Sequence, residues 1–351
     1  MKIAFVIAHL KSGGSERAVS NMSLAMEKEG HDVSVILLDA RDIGYPYGGK
    51  IIDVNSHHAS SALGQVINLL KRAYTFKKVY KEQNFDGVFT FMESVGFPSV
   101  MASKDVIVSV HENPDKMSKM YKFLYPFLYP RAKKVIACSK AMEERLVDLY
   151  DLKNSGTIYN SVDIDLVLEK SKETIKETRP YILSVGRLVT VKGFDLLIEA
   201  YSKSTAKEKL DLIICGEGEE RKVLQALIDK RGLTNNVTLI GSVENPFAYY
   251  ASAEFYVLSS RNEGFPNILI EALACNCPCI AFDCKTGPNE IIKQGENGLL
   301  VKAENVPALT EAIDKLAEDK DLQSRFKENA NSSVQHLTPS VIAQNWLSLL
   351  K

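Results

Sequence analysis

The sequence predicts an α/β chain of two doubly wound domains with parallel sheets, and three observations predict it. Its 351 residues exceed one comfortable domain and suit two of about 150–180 residues each. Short β-branched runs alternate with helix-length segments along the whole chain, the pattern of parallel sheets covered on both faces. Apolar residues make up 45% and charged residues 25%, which excludes a disordered chain, a collagen repeat and a coiled coil.

In the first half, strands are expected at 2–10, 32–40, 87–91, 105–111, 134–139 and 156–160, with helices at 15–29, 62–81 and 140–149. Met1-Lys2 leads into Ile3-Ala4-Phe5-Val6-Ile7-Ala8 and then a glycine-rich turn. With no small-residue cleavage site, this start reads as a first strand and not as a signal peptide. The second half repeats the pattern, with strands at 181–186, 211–216, 237–241, 255–260, 279–282 and 298–301. Its helices follow Lys192, Gly218, Pro246, Pro266, Gly287 and Asn305. Residues 168–179 are dense in Lys, Glu and Thr and end at Pro180, which marks a linker or a solvated helix face. The expected domains are therefore 1–165 and 181–335, joined by a linker at 166–180 and followed by a terminal helix at 336–351. That helix carries Trp346, Leu347 and Leu350 on its apolar side. Two such domains facing each other leave a cleft at the carboxyl ends of their strands, where ligands bind in doubly wound sheets.

Net charge is −1, from 43 basic and 44 acidic residues. Between Lys71 and Lys140, however, 13 Lys and Arg stand against 6 Asp and Glu. This basic patch is too modest for a nucleic-acid protein but suits contact with an anionic surface. No run of 18 apolar residues occurs, so no membrane-spanning helix is expected. Six cysteines in a chain of this length make no disulfide framework and favour a reducing cytoplasm.

Four segments carry chemistry. In Glu263-Gly264-Phe265-Pro266-Asn267-Ile268-Leu269-Ile270-Glu271, a loop follows a strand and Pro266 suits a first helical turn. The N–H groups of that helix start can bind hydroxyl or phosphate oxygens. Glu263 and Glu271 are eight residues apart, so the two carboxylates need not share a target, and each can accept two hydrogen bonds from a vicinal diol. In Gly186-Arg187-Leu188-Val189-Thr190-Val191-Lys192-Gly193, two cations five residues apart beside a helix start make a diphosphate site that needs no metal. Ser12-Gly13-Gly14-Ser15-Glu16-Arg17 follows the first strand. Its glycines admit a ligand to the backbone, and Ser15 suits an N-cap. His111, ending Ser109-Val110-His111, can hydrogen-bond a sugar hydroxyl or a backbone carbonyl, although a lone histidine is more often structural.

Together with Tyr159-Asn160-Ser161-Val162-Asp163 and Gly216-Glu217-Gly218, these segments resemble the family-4 retaining glycosyltransferases of the GT-B fold. The motifs span nearly the whole chain in the family's order. The nearest likeness is to bacterial enzymes that extend lipid-linked or surface polysaccharide, N-acetylgalactosaminyltransferases among them. The resemblance implies two Rossmann-like domains, the first for acceptor and the second for nucleotide-sugar, with the tail helix packing back on the first. It further implies that Arg187 and Lys192 hold the donor diphosphate, Glu271 the ribose, and Glu263 with the backbone of Gly264, Phe265, Pro266 and Asn267 the donor sugar. Gly14 would let the diphosphate or acceptor approach, and His111 would sit near the reacting carbon.

The implied function is transfer of a hexose or N-acetylhexosamine (GalNAc included) from a UDP-linked donor to a glycan or lipid-linked glycan. Attack would occur on the front face with retention, without metal or other cofactor. The alternatives are a nucleotide-sugar epimerase or hydrolase of the same fold, or a non-catalytic nucleotide-sugar-binding scaffold.

Other signals read as structural. Asp163-Ile164-Asp165 spells a metal-binding pattern but sits where a helix cap is expected. Gly216-Glu217-Gly218 lacks the rest of a dinucleotide fingerprint. Cys275, Cys277, Cys279 and Cys284 do not have zinc spacing and suit buried thiols. The stretch 116–134 mixes Tyr121, Phe123, Tyr125, Phe127 and Tyr129 with Lys116, Lys119, Lys122, Arg131, Lys133 and Lys134. It suits either peripheral contact with anionic lipid on the inner face of the plasma membrane or a core helix with a Met117, Met120, Leu124, Phe127, Leu128 stripe.

Overall fold

Runs such as Ile3-Ala4-Phe5-Val6-Ile7, apolar at every position, suit a strand with no wet face, and all five side chains are fully buried. The structure is a computed structural model that describes residues 1–11, 13–57, 61–111, 117–176 and 179–351. It divides into two compact units, Met1–Ser161 with Leu337–Lys351, and Val162–His336.

The first unit contains β1 (Lys2–Ile7), β2 (Asp32–Leu37), β3 (Lys50–Asp53), β4 (Gly87–Phe91), β5 (Ile107–Val110), β6 (Lys134–Ala137) and β7 (Ser155–Thr157). They form one parallel sheet in the order β3-β2-β1-β4-β5-β6-β7. Its helices are α1 (Gly14–Lys28), α2 (Ala62–Gln83), α3 (Glu93–Ala102), α4 (Lys119–Leu128) and α5 (Lys140–Tyr150). Sequence reading did not name β3 or α3. The first is a four-residue, half-buried edge strand. The second contains Gly96 and Pro98, both helix breakers by propensity. Packing explains the glycine, because a Cβ at Gly96 would stand 2.6 Å from the Tyr129 hydroxyl oxygen.

The second unit contains α6 (Ile164–Lys170), β8 (Tyr181–Val185), α7 (Phe194–Lys203), β9 (Asp211–Cys215), α8 (Arg221–Lys230), β10 (Val237–Gly241) and α9 (Pro246–Ser252). After them come β11 (Phe255–Leu258), α10 (Asn267–Ala274), β12 (Cys279–Asp283), α11 (Pro288–Ile291), β13 (Gly298–Lys302), α12 (Val306–Glu318) and α13 (Lys320–Ser333). The strands form a parallel sheet in the order β10-β9-β8-β11-β12-β13. Residues 164–170, which overlap the stretch read as a linker, are helical because Asp163 caps α6 through the Leu166 N–H at 3.1 Å and Ile164 and Val167 are buried. Glu177 and Thr178 of that stretch lie outside the described residues.

The chain then returns to the first unit as α14 (Pro339–Ser348). Trp346 sets its edge against Phe89 at 5.2 Å between ring centres. Leu350 fills the space where a Cβ at Gly87 would stand 2.6 Å from its Cδ1. In each sheet the strand order reverses once, between β1 and β4 and between β8 and β11. Open α/β sheets bind ligands at such switch points, outside the carboxyl ends of the strands.

Candidate functional site

In the second unit the switch point gathers the motif residues. After β8, Gly186, Arg187 and the buried Leu188 lead into a single 3-10 turn, Thr190–Lys192. Gly193 ends that turn at φ 66°, and a Cβ there would lie 2.1 Å from the Ser259 carbonyl oxygen, so only glycine fits. The neighbouring strand β11 runs into buried Ser259 and Ser260 and then Glu263.

Two loops far apart in sequence thus meet. Lys192 Nζ lies 2.6 Å from Glu263 Oε1, with both side chains largely buried. The Ser260 hydroxyl donates to the same carboxylate oxygen at 2.5 Å, and the Thr286 hydroxyl donates to the Glu263 carbonyl. The Lys192 side chain also runs beside Gly186, where a Cβ would meet Lys192 Cδ at 3.6 Å. Its ammonium is therefore carried next to the residue that precedes Arg187. Arg187 is exposed.

Arg261 belongs to this assembly and was missed in the sequence. Its guanidinium grips Asp195 with two bonds, of 2.8 and 2.6 Å, and donates to the Thr190 carbonyl at 2.6 Å. Its backbone N–H donates to the Val191 carbonyl at 2.8 Å, while the Ser259 hydroxyl donates to the Lys192 carbonyl at 3.0 Å. Each carbonyl of the Thr190–Lys192 turn is thereby held by the β11 loop. Although burial works the other way, Arg261 keeps the Asp195 carboxyl below its ordinary range. The only sequence signal was an arginine directly after a strand end, which is no signal without its partner.

Pro266 stands at the N-cap of α10, one position before the helical turn expected for it, and Asn267 begins the helix. Glu271 on α10 is 6% exposed and close enough to Tyr250 and Tyr256 to help burial raise their phenol pKa values. Gly216 and Gly218 bring the β9 loop onto the β8 loop. A Cβ at Gly216 would lie 1.8 Å from the Gly186 carbonyl oxygen, and one at Gly218 would lie 2.3 Å from that of Leu188. That close backbone approach is the job of Gly216-Glu217-Gly218 within the fold.

Gly14 and His111 belong to the first unit. Gly13, at φ 148°, is the N-cap and Gly14 the first residue of α1. Ser15 is therefore inside the helix and not its cap; its hydroxyl donates to Glu16 at 2.8 Å. Glu16 is buried and lies 3.2 Å from His9 Nδ1. His111 follows β5, with Nε2 2.9 Å from the Ser109 hydroxyl and its ring 5.4 Å from that of Phe91. Burial pushes its pKa down to about 4, which leaves a neutral imidazole at neutral pH. Ser12 and Glu112-Asn113-Pro114 of these two motifs lie outside the described residues.

The segments read as structural behave so. Asp163 is the cap of α6. Cys275, Cys277, Cys279 and Cys284 are buried and free, and burial raises all four thiol pKa values, that of Cys284 to about 12. Among the described residues, no helix is long and apolar enough to cross a membrane. Within 117–134, the core-stripe reading needs correction. Met117, Tyr125, Leu128 and Tyr129 are buried, whereas Met120 and Phe127 face outward with Phe123. The aromatic tyrosines, not those two residues, fill the helix's inner face. Lys116 lies outside the described residues.

Residues 12–166 match the family model for Glycosyltransferase Family 4, and residues 168–333 match that for Glycosyl transferases group 1. The chain is 31% identical to the Campylobacter jejuni N-acetylgalactosamine-N,N'-diacetylbacillosaminyl-diphospho-undecaprenol 4-alpha-N-acetylgalactosaminyltransferase, over 99% of each chain. It is 27% identical to the amylovoran biosynthesis glycosyltransferase AmsD of Erwinia amylovora, over 97% of this chain and 96% of that one. The crystal structure of Anabaena HepE in complex with UDP and glucose superposes with a TM-score of 0.83 at 21% identity, covering 100% of this chain and 99% of that one. The motifs, the paired Rossmann-like sheets and the full-length match agree: this chain is a glycosyltransferase of family 4 with the GT-B fold.

Proposed function

We propose that the chain moves an N-acetylhexosamine, GalNAc first among the candidates, or a hexose from a UDP-linked donor to a lipid-linked glycan, with retention and without a metal ion. One observation carries this reading. The motif cations Arg187 and Lys192 and the motif carboxylate Glu263 converge on the β8/β11 switch point, with Lys192 and Glu263 in direct contact. The sugar and acceptor follow from the full-length likeness to a transferase named for both.

Breaking the bond between sugar and diphosphate puts negative charge on the leaving group and positive character on the sugar carbon. Arg187 and Lys192 neutralise the former as it develops. Glu271 binds the ribose, and Glu263 with Gly264, Phe265, Pro266 and Asn267 binds the donor sugar. The acceptor attacks from the side the leaving group departs, and a phosphate oxygen takes its proton, so no general base is assigned. In the first unit, Gly14 has no side chain to bar an acceptor or a phosphate from the start of α1, and His111 offers an uncharged imidazole to a hydroxyl. Peripheral contact with anionic membrane through 116–134 fits an acceptor that is itself a lipid, and exposed Phe123 and Phe127 support it.

The test is a panel of nucleotide sugars. UDP-GalNAc is expected to raise the melting temperature by mass action and to yield an α-linked product with a lipid-linked acceptor in the presence of EDTA. Product formed from donor alone at full rate would move the reading to a hydrolase or epimerase. A requirement for manganese would remove the metal-free account.

A further inference from the structure

The two oxygens of the Glu263 carboxylate are used unequally. Lys192 Nζ stands 2.6 Å from Oε1, and the Ser260 hydroxyl donates to that same oxygen at 2.5 Å. Among the described residues, no donor meets Oε2, and this oxygen is not sealed from solvent. One oxygen is therefore fastened, and the other is an open acceptor with both lone pairs. The backbone of Glu263 is fixed separately. The buried Thr286 donates its hydroxyl to the Glu263 carbonyl. Gly287, at φ 95°, closes on the next residues, where a Cβ would stand 3.0 Å from the Gly264 carbonyl oxygen and 2.7 Å from Pro266 Cδ. With main chain and Oε1 both held, Oε2 is what the residue has left for a ligand.

Lys192 alone cannot aim that oxygen. The last torsion of a glutamate is broad, and an ammonium is a point charge on a flexible stem that follows a carboxylate as it turns. A hydroxyl bond is directional, and Ser260 stands on short backbone two residues past the end of β11. Ser260 is 1% exposed, so it has nothing to offer a ligand directly, and among the described residues its hydroxyl donates to Glu263 alone. Its effect must pass through the carboxylate. The lysine, for its part, has three N–H donors, and Glu263 takes one of them. The other two are left for a phosphate oxygen.

We infer that Ser260 is a positioning residue. It pins Oε1 of Glu263 beside Lys192, so that Oε2 receives a hydroxyl of the transferred sugar while the same ammonium reaches the diphosphate. The inference rests on the donor reading above and adds the residue that aligns sugar against leaving group. Ser260→Ala, Ser260→Cys and Ser260→Thr are compared with the parent for melting temperature, for UDP affinity by calorimetry, and for turnover of the UDP-sugar and lipid-linked acceptor that the panel selects. Alignment shows in kcat and not in nucleotide binding, so Ser260→Ala should lose roughly 10–100-fold in kcat with Kd for UDP within about twofold of the parent. Ser260→Cys, equal in size but a weak donor, should follow the alanine variant. Ser260→Thr keeps the hydroxyl and should regain most of the loss. Parent-like kcat in the alanine variant overturns the inference alone. So does a loss carried wholly by UDP affinity, or a threonine variant that melts like the parent but turns over like the alanine one. A parent that binds UDP yet turns over no sugar of the panel overturns the proposed function, and the inference with it.

Discussion

At the β8/β11 switch point of the second unit, a lysine and a glutamate touch, the lysine's side chain runs past the glycine that precedes an exposed arginine, and hydrogen bonds from the β11 loop hold the lysine's turn. At the β1/β4 switch point of the first unit, glycines open α1, Glu16 is buried against His9, and on the next strand, β5, burial keeps His111 neutral. The same kind of switch point thus presents a lysine, an arginine and a glutamate in one unit, and glycines, a glutamate–histidine pair and a neutral imidazole in the other. The difference fits the division of ligands proposed above. A diphosphate needs fixed cations at the moment charge develops, whereas a sugar hydroxyl needs neutral donors and acceptors and room to approach.

The sharpest way to break that comparison is to remove charge from the second unit. Lys192→Ala and Glu271→Ala are each expected to lower turnover by roughly 10²–10³-fold, the usual loss when one preorganised transition-state contact is deleted, with circular dichroism unchanged. Glu263→Ala should cut kcat more than it weakens UDP binding, and the reverse split would reassign Glu263 from sugar to nucleotide. Next in size is Gly216→Ala. Its Cβ would collide with the Gly186 carbonyl, so about 3 kcal/mol of stability should be lost, read as a fall in melting temperature.

Arg261→Ala should cost roughly 10–100-fold in kcat/KM, because a misplaced positioning turn is expensive. Arg261→Lys should not rescue it, since an ammonium cannot grip Asp195 with two parallel bonds; full rescue would reduce Arg261 to a simple charge.

A smaller effect belongs to the first unit. His111 titrates at about 4 in the folded chain against an ordinary 6.5. The unfolded chain therefore binds the extra proton, and the stabilising contribution is complete above pH 6.5 and lost as pH falls toward 4. His111→Asn should flatten the melting temperature over that window, and an unchanged slope would contradict a buried neutral imidazole. Smallest of all, the buried cysteines should react negligibly with a thiol reagent until the protein unfolds.

Much of this is legible in the sequence. The second-unit strands announced themselves because each is an apolar run between turn residues, and the helices after Pro246, Pro266, Gly287 and Asn305 begin within a residue of those signals. Asp163 as a cap followed from its place before an apolar helix. What stayed hidden depended on partners distant in the chain. Nothing around Gly96 and Pro98 advertises α3, because Tyr129 supplies the reason for the glycine. On α4, the choice between Phe127 and Tyr125 as core residues could not be made from spacing alone. Both lie on helical periods, and only the aromatic wall of Phe97 and Tyr129 selects the tyrosine.

By itself the sequence determined the α/β class, the parallel sheets and the motif residues of the candidate site, since periodicity, turn chemistry and short motifs are local properties of a chain. The tertiary structure alone decided that Lys192 meets Glu263 across 71 residues of sequence, that Arg261 fastens the lysine's turn, and that α2 turns Leu63, Leu70 and Tyr74 outward. Those outcomes are set by which strands become neighbours and which surfaces find cover, and pairing between remote segments has no signature in either segment alone.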